Sequence, residues 1–119
     1  MPNLIIAGGR NWQPFKGVES IVDRIVREHG ITCILNGGAT GADEWASRYA
    51  ESHNIDCIVF KAAWHDLGAY AGPSRNRDMA LACDPLTDGI VLFKGGKGTA
   101  SMKREALRAG LPIWYKEVS

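Results

Sequence analysis

A chain of 119 residues, 45% hydrophobic and 23% charged, fits one soluble domain (residues 1–119) whose core needs neither disulfides nor a metal. Fourteen Lys and Arg against 13 Asp and Glu leave a formal net charge of +1, which excludes a global basic field able to grip a nucleic-acid backbone. No run approaches the ~20 apolar residues of a membrane span, and three cysteines without a CxxC spacing predict buried free thiols in a reducing, cytoplasmic setting.

In chain order, the opening NLIIAG (3–8) reads as a first strand; MPNLIIAGGR has too short an apolar run and no basic segment for a signal peptide. VESIVDRIVREH follows, with Val18, Ile21, Val22, Ile25 and Val26 on one helical stripe. TCILNG (32–37) is a second strand, and ADEWASRYAESH a second helix with Ala42, Trp45, Ala46, Tyr49 and Ala50 inward. After a third strand, DCIVF (56–60), comes a long connection, 61–72. PSRNRDMALAC places Pro73 where a first helical turn accepts it. GIVLF (89–93) is a fourth strand, TASMKREALRAG a helix ending on Gly110, and LPIWY (111–115) a fifth strand. The apolar runs are continuous rather than alternating, as suits strands covered on both faces. Regular alternation of strand and helix predicts an α/β fold: a single Rossmann-like three-layer domain with a five-stranded parallel sheet.

Such sheets bind ligands outside the carboxyl ends of their strands. There the sequence places Gly8-Gly9-Arg10, then NGGATGAD (36–43), then KGGKGT (94–99), with AGPSRNR closing the long connection. Glycines let a backbone approach a ligand closely, and free N–H groups at a helix start attract anions. Arg10, Arg75, Arg77, Lys94 and Lys97 fall on the same edge, so a nearly neutral protein can still own a cationic pocket. Arg75 is the expected phosphate or carboxylate clamp, whereas Arg77 points away into solvent. Asp43 either completes a capping box with Thr40 or holds a ribose hydroxyl or an arginine in the pocket. Trp64 and Tyr70 either stack on a base or anchor their loop to the core. His65 is read as polar surface, and His29 and His53 as supports for helix C-termini. KGGKGT matches neither a Walker A loop nor GxGxxG in its proper place.

Taken together, IIAGGRNW, NGGATGADEWASRYA, WHDLGAYAGPSRNRDM and VLFKGGKGTASM resemble the YspA-like (cpYpsA-related) branch of the SLOG superfamily, which includes the Lonely Guy phosphoribohydrolases and DprA. The resemblance implies a Rossmann-like fold that binds nucleotides or nucleotide-derived ligands through Gly8, Gly9 and Arg10, Gly37, Gly38, Gly41, Ala42 and Asp43, Arg75 and Asn76, and Gly95, Gly96, Gly98 and Thr99. Lonely Guy enzymes carry PGGxGTxxE with a catalytic glutamate; here Lys94 replaces the proline and Met102 the glutamate. Ala69 stands where YspA-like sequences often have a lysine.

The resulting expectation is a nucleotide-binding sensor or sequestering module, with no cofactor, metal, nucleic-acid or membrane partner, acting as a homodimer. Its alternative is a nucleotide N-glycosidase in which Asp43 or Asp78 replaces the absent glutamate. Whether the chain is an enzyme is left open by the sequence.

Overall fold

The computed structural model describes residues 1–118, apart from the side chains of His65 and Asp66. The five apolar runs become β1 (Asn3–Ala7), β2 (Cys33–Asn36), β3 (Asp56–Val59), β4 (Gly89–Leu92) and β5 (Ile113–Lys116). All pair in parallel in the order β3-β2-β1-β4-β5. The chain winds outward from β1 to β3, then returns across the sheet to start again at β4. The direction of winding therefore reverses between β1 and β4, where a crevice opens at the carboxyl ends of the strands.

The helices are α1 (Val18–His29), α2 (Ala42–Ser52), a single turn α3 (Trp64–Leu67), α4 (Ala71–Leu81) and α5 (Lys97–Arg108). Leu4 and Ile6 of β1 pack with Val18, Val22 and Ile25 of α1 and Ala46, Tyr49 and Ala50 of α2. Their neighbours Ile5 and Ala7 point the other way, onto Met79 and Ala80 of α4 and Met102 and Ala106 of α5. That two-sided cover is why β1 reads as an unbroken apolar run. Complete burial of Leu4, Ile5 and Ile6 stabilises the sheet centre by ~1.5–3 kcal/mol per side chain. The α1 stripe falls as its periodicity predicts, with Ile21 and Val26 at its half-buried margin.

Other expectations are corrected. The strand at the open edge, β3, is exposed along its length, so DCIVF is not covered on both faces, and Cys57 is exposed rather than buried. The connection 61–72 is not an irregular loop: it folds into α3, a 3-10 turn (Gly68–Tyr70) and the start of α4, two residues before Pro73. Helix α5 begins at Lys97, two residues earlier than the periodicity implies, and stops at Ala109; the left-handed residue there is Gly110, φ 76°. Strand β5 starts at Ile113 and carries an irregular register that leaves Trp114 between the partners of Ile90 and Val91. His29 closes the last turn of α1 as read, and it also stacks on Trp114 with ring centroids 3.7 Å apart.

The strand starts are joined by Asp88, whose carboxylate accepts the Asn3 N–H at 2.8 Å, the Asn3 Nδ2 at 3.1 Å, the Asp84 N–H at 2.8 Å and the Thr87 hydroxyl at 2.8 Å. Burial alone would push the Asp88 pKa up, but these donors outweigh it and hold the carboxyl below its usual value. A depressed carboxyl pKa contributes stability that is complete above the unfolded value, about 3.9, and is lost as pH falls through the folded value. Asp88→Asn is expected to cost ~1–3 kcal/mol at neutral pH, because two acceptor oxygens become one. The variant's stability should fall less steeply than the parent's below about pH 4 in urea titrations at stepped pH.

Candidate functional site

At the crevice, three turns lock together through one residue. The Gly9 N–H donates to Lys94 O at 2.7 Å, and Gly9 O accepts the N–H groups of Trp12 and Ala42, both at 3.2 Å. The turns after β1, β2 and β4 are thereby tied at close range. A Cβ on Gly8 would lie 2.6 Å from the Ala42 Cβ and 2.9 Å from the Phe93 Cβ. Gly41 has φ 74°, and a Cβ there would run into the backbone of Gly9 and Arg10. A Cβ on Gly95 would strike Thr99. These glycines serve the mutual packing of the turns. Gly96 and Gly98 differ: a Cβ on either would meet nothing within 4 Å, so their bareness keeps space open.

That space is a cavity of about 550 Å³ over the β1–β4 switch point. Its floor includes Ile6, Ala7, Met79 and Met102, and Trp64 stands on its wall. Arg10, Arg75, Lys97 and Arg104 line it, against Asp43 as the one acidic residue among those described. Lys97, Gly98 and Thr99, the first turn of α5, also line it. No side chain caps that helix start, so its leading N–H groups and the positive end of its dipole face the cavity. The start of α2 is built differently, since Gly9 O takes the Ala42 N–H and Asp43 Oδ2 takes the Ala39 N–H at 3.2 Å. Of the two helix starts, the one at α5 keeps more of its leading N–H groups without a hydrogen-bond partner among the described residues.

Arg75 is half-buried between the two helical layers. Its Nη1 donates to Gly37 O at 2.8 Å and Phe60 O at 3.3 Å, and its Nε to Asn76 Oδ1 at 2.8 Å. Among the described residues, Nη2 makes no hydrogen bond and is the atom free for a ligand. Burial pulls the Arg75 pKa down, with Asp43 countering it. Asn76 in turn donates to Gly98 O at 3.3 Å and Ser101 Oγ at 3.1 Å, bracing α4 against α5 at the cavity rim. Burial raises the Asp43 pKa above the usual carboxylate value, more than the Ala39 N–H and the nearby Arg75 charge lower it.

Of the residues singled out in the sequence, Gly8, Gly9, Arg10, Gly37, Asp43, Arg75, Asn76, Gly96, Gly98 and Thr99 line the cavity. Gly38, Gly41, Ala42 and Gly95 lie behind that lining: Ala42 is fully buried, and a Cβ on Gly38 would press on Val59. Arg77 and Lys94 are exposed away from it. The capping box is not formed, because Gly41 is the N-cap of α2 and the Thr40 hydroxyl donates to Arg10 O at 3.1 Å. Tyr70 does not anchor its segment, being 79% exposed, and the half-exposed Trp64 lies beside Gly72 at the cavity wall. Asp78 is exposed and lies outside the cavity. The His65 side chain lies outside the described residues. Arg104 was missed, although Lys97, Ser101 and Arg104 recur at i, i+4 and i+7 and so share one face of α5.

The fold and cavity define a Rossmann-like α/β domain with a pocket lined by Arg10, Arg75, Lys97 and Arg104 at its switch point. Residues 2–66 match the model of the YspA, cpYpsA-related SLOG family. The chain is also 32% identical over 121 residues to the Gene 61 protein of Mycobacterium phage D29, covering 95% of this chain and 94% of that one. The protein belongs to the YspA, cpYpsA-related SLOG family. Membership points to binding or processing of a nucleotide-related ligand. No solved structure matches it. Among the described residues, no helix is long and apolar enough to cross a membrane.

Proposed function

We propose that the protein binds a nucleotide or nucleotide-derived ligand at the carboxyl edge of its sheet and acts as a sensor or sequestering module. The observation that carries this reading is the uncapped start of α5 opening, with Lys97 and Arg104, into a cavity of about 550 Å³. A phosphate seats against the α5 N–H groups, where Gly96 and Gly98 leave room for close approach. Arg75 Nη2 reaches it from the opposite wall, Asp43 accepts from a ribose hydroxyl, and Trp64 offers a face to the base. Met102, buried at the floor, supports binding without hydrolysis, because a thioether stabilises a cationic sugar poorly.

A second reading, N-glycosidic hydrolysis, is favoured by one feature: Asp43 is a buried carboxyl in the cavity with a raised pKa, as a general acid requires. Asp78, outside the cavity, has no part in it.

The protein is also proposed to be a homodimer. Its shallow cavity gains depth from a second copy, and the open β3 edge, with Ile58 and Val59 exposed, offers a surface for one. A thermal-shift screen over nucleoside mono- and diphosphates, dinucleotides and ADP-ribose derivatives, with light scattering on the same samples, tests all three statements. A raised Tm with intact ligand supports the sensor, and release of free base supports the glycosidase. No shift with any of these at millimolar concentration rejects both, and a monomer at high protein concentration rejects the dimer.

A further inference from the structure

Outside the cavity, three ligand-type side chains converge where α1 meets the end of α2. His53 Nε2 lies 3.3 Å from Asp23 Oδ1 and 3.4 Å from Glu19 Oε1, and the three ligand atoms fall within 4.8 Å of one another. Glu19 and Asp23 are four residues apart and so project from one face of α1. We propose that Glu19, Asp23 and His53 form a site for a divalent transition-metal ion, zinc above all, which joins α1 to α2.

The imidazole is oriented as a metal ligand. His53 Nδ1 lies 2.9 Å from Tyr49 O and 3.0 Å from Ser52 Oγ, and the Ser52 hydroxyl donates to that same carbonyl, so neither neighbour gives Nδ1 a proton and Nδ1 carries its own. In the neutral ring Nε2 then holds a lone pair aimed at two carboxylates. A carbonyl-bound Nδ1–H behind a free Nε2 is the usual support for a ligating histidine. The ring also stacks on Tyr49, with centroids 4.0 Å apart, and the Tyr49 hydroxyl donates to Asp23 Oδ1, so two of the three ligands are held in place by one tyrosine.

The spacing is compatible with a shared ion, because the two separations from Nε2 are nearly equal. Ligands placed tetrahedrally about 2.0–2.1 Å from a zinc ion stand about 3.3–3.4 Å from one another. Among the described residues, no Lys or Arg side chain pairs with Glu19 or Asp23, which leaves both carboxylates available to an ion. One imidazole and two carboxylates suit zinc, with water completing the set. The sequence reading expected no metal, because Glu19, Asp23 and His53 lie on two helices and show no ligand spacing along the chain.

Tag-free protein stripped with EDTA is titrated with Zn²⁺ by calorimetry and with Co²⁺ by visible spectroscopy. One Zn²⁺ per chain, a raised Tm and the ligand-field bands of tetrahedral Co²⁺ are expected. Glu19→Gln, at an exposed position that leaves the fold intact, should weaken binding at least about tenfold; His53→Ala should abolish it, and Cys57→Ser should leave it unchanged. No Zn²⁺ uptake by the parent protein, uptake unchanged in Glu19→Gln and His53→Ala, or uptake lost in Cys57→Ser would overturn the site. None of the three residues lines the cavity, so this result and the nucleotide screen fail independently.

Discussion

Phe93→Ala is expected to destabilise the protein by ~3–5 kcal/mol. The ring is 2% exposed and sits at the centre of an aromatic cluster. It stacks on Trp12 with centroids 4.4 Å apart and meets the edges of Phe15 at 6.2 Å, Trp45 at 5.8 Å and Tyr115 at 6.1 Å. These four come from the β1–α1 connection, α2 and β5, so the neighbours cannot collapse into the space without moving several elements at once. A domain this size has about 5–15 kcal/mol to lose. The variant should unfold at much lower urea than its parent, with an unchanged m-value. A cost under about 1 kcal/mol would mean that the aromatic cluster is not the keystone of the α1–α2 face.

Gly96→Val should abolish nucleotide binding while leaving the fold in place. Its φ is −102°, so glycine is not demanded there by a left-handed backbone. A side chain there meets no protein atom within 4 Å and projects into free space beside the α5 start, where the phosphate is proposed to touch backbone N–H groups. Lys97→Ala removes an exposed charge and should weaken binding severalfold at most. Arg75→Ala should fall between the two. It removes the Nη2 contact and also unpins Gly37 and Asn76, so its effect on binding of ~1.5–3 kcal/mol should come with a loss of stability. Calorimetric titration of the nucleotide found in the screen gives the order. If Lys97→Ala abolishes binding while Gly96→Val binds normally, the ligand is read by side-chain charge and the backbone cradle is rejected.

The sheet was legible because its central strands are buried on both faces, which leaves β1 beyond Asn3, and all of β4, no polar position to disguise them. Helix α1 was legible to the residue because its stripe is regular. Legibility failed where tertiary context decides. β3 has the same apolar character as its neighbours but ends the sheet, and nothing local distinguishes an edge strand from a central one. The glycines were read as one class. Only the packed structure divides them into those squeezed between turns (Gly8, Gly41, Gly95) and those bordering open space (Gly96, Gly98). Arg75 was found from its helical position, but its engagement with Gly37 and Phe60 could not be, since both partners are backbone carbonyls and any residue supplies one. The Glu19–Asp23–His53 group was invisible for a similar reason: the contact depends on how α2 lies across α1.

The single residue that ties three turns together at Gly9 has a kinetic consequence. Hydrogen bonds to Lys94 and Ala42 fix the turn after β1 to its neighbours through the protein's own backbone. A molecule entering the cavity therefore finds its floor already ordered, and little conformational entropy is spent in closing loops around it. Association should then run at the rate of diffusional encounter, raised by Arg10, Lys97 and Arg104 for anions and slowed by salt. Discrimination among ligands would reside in how long each one stays.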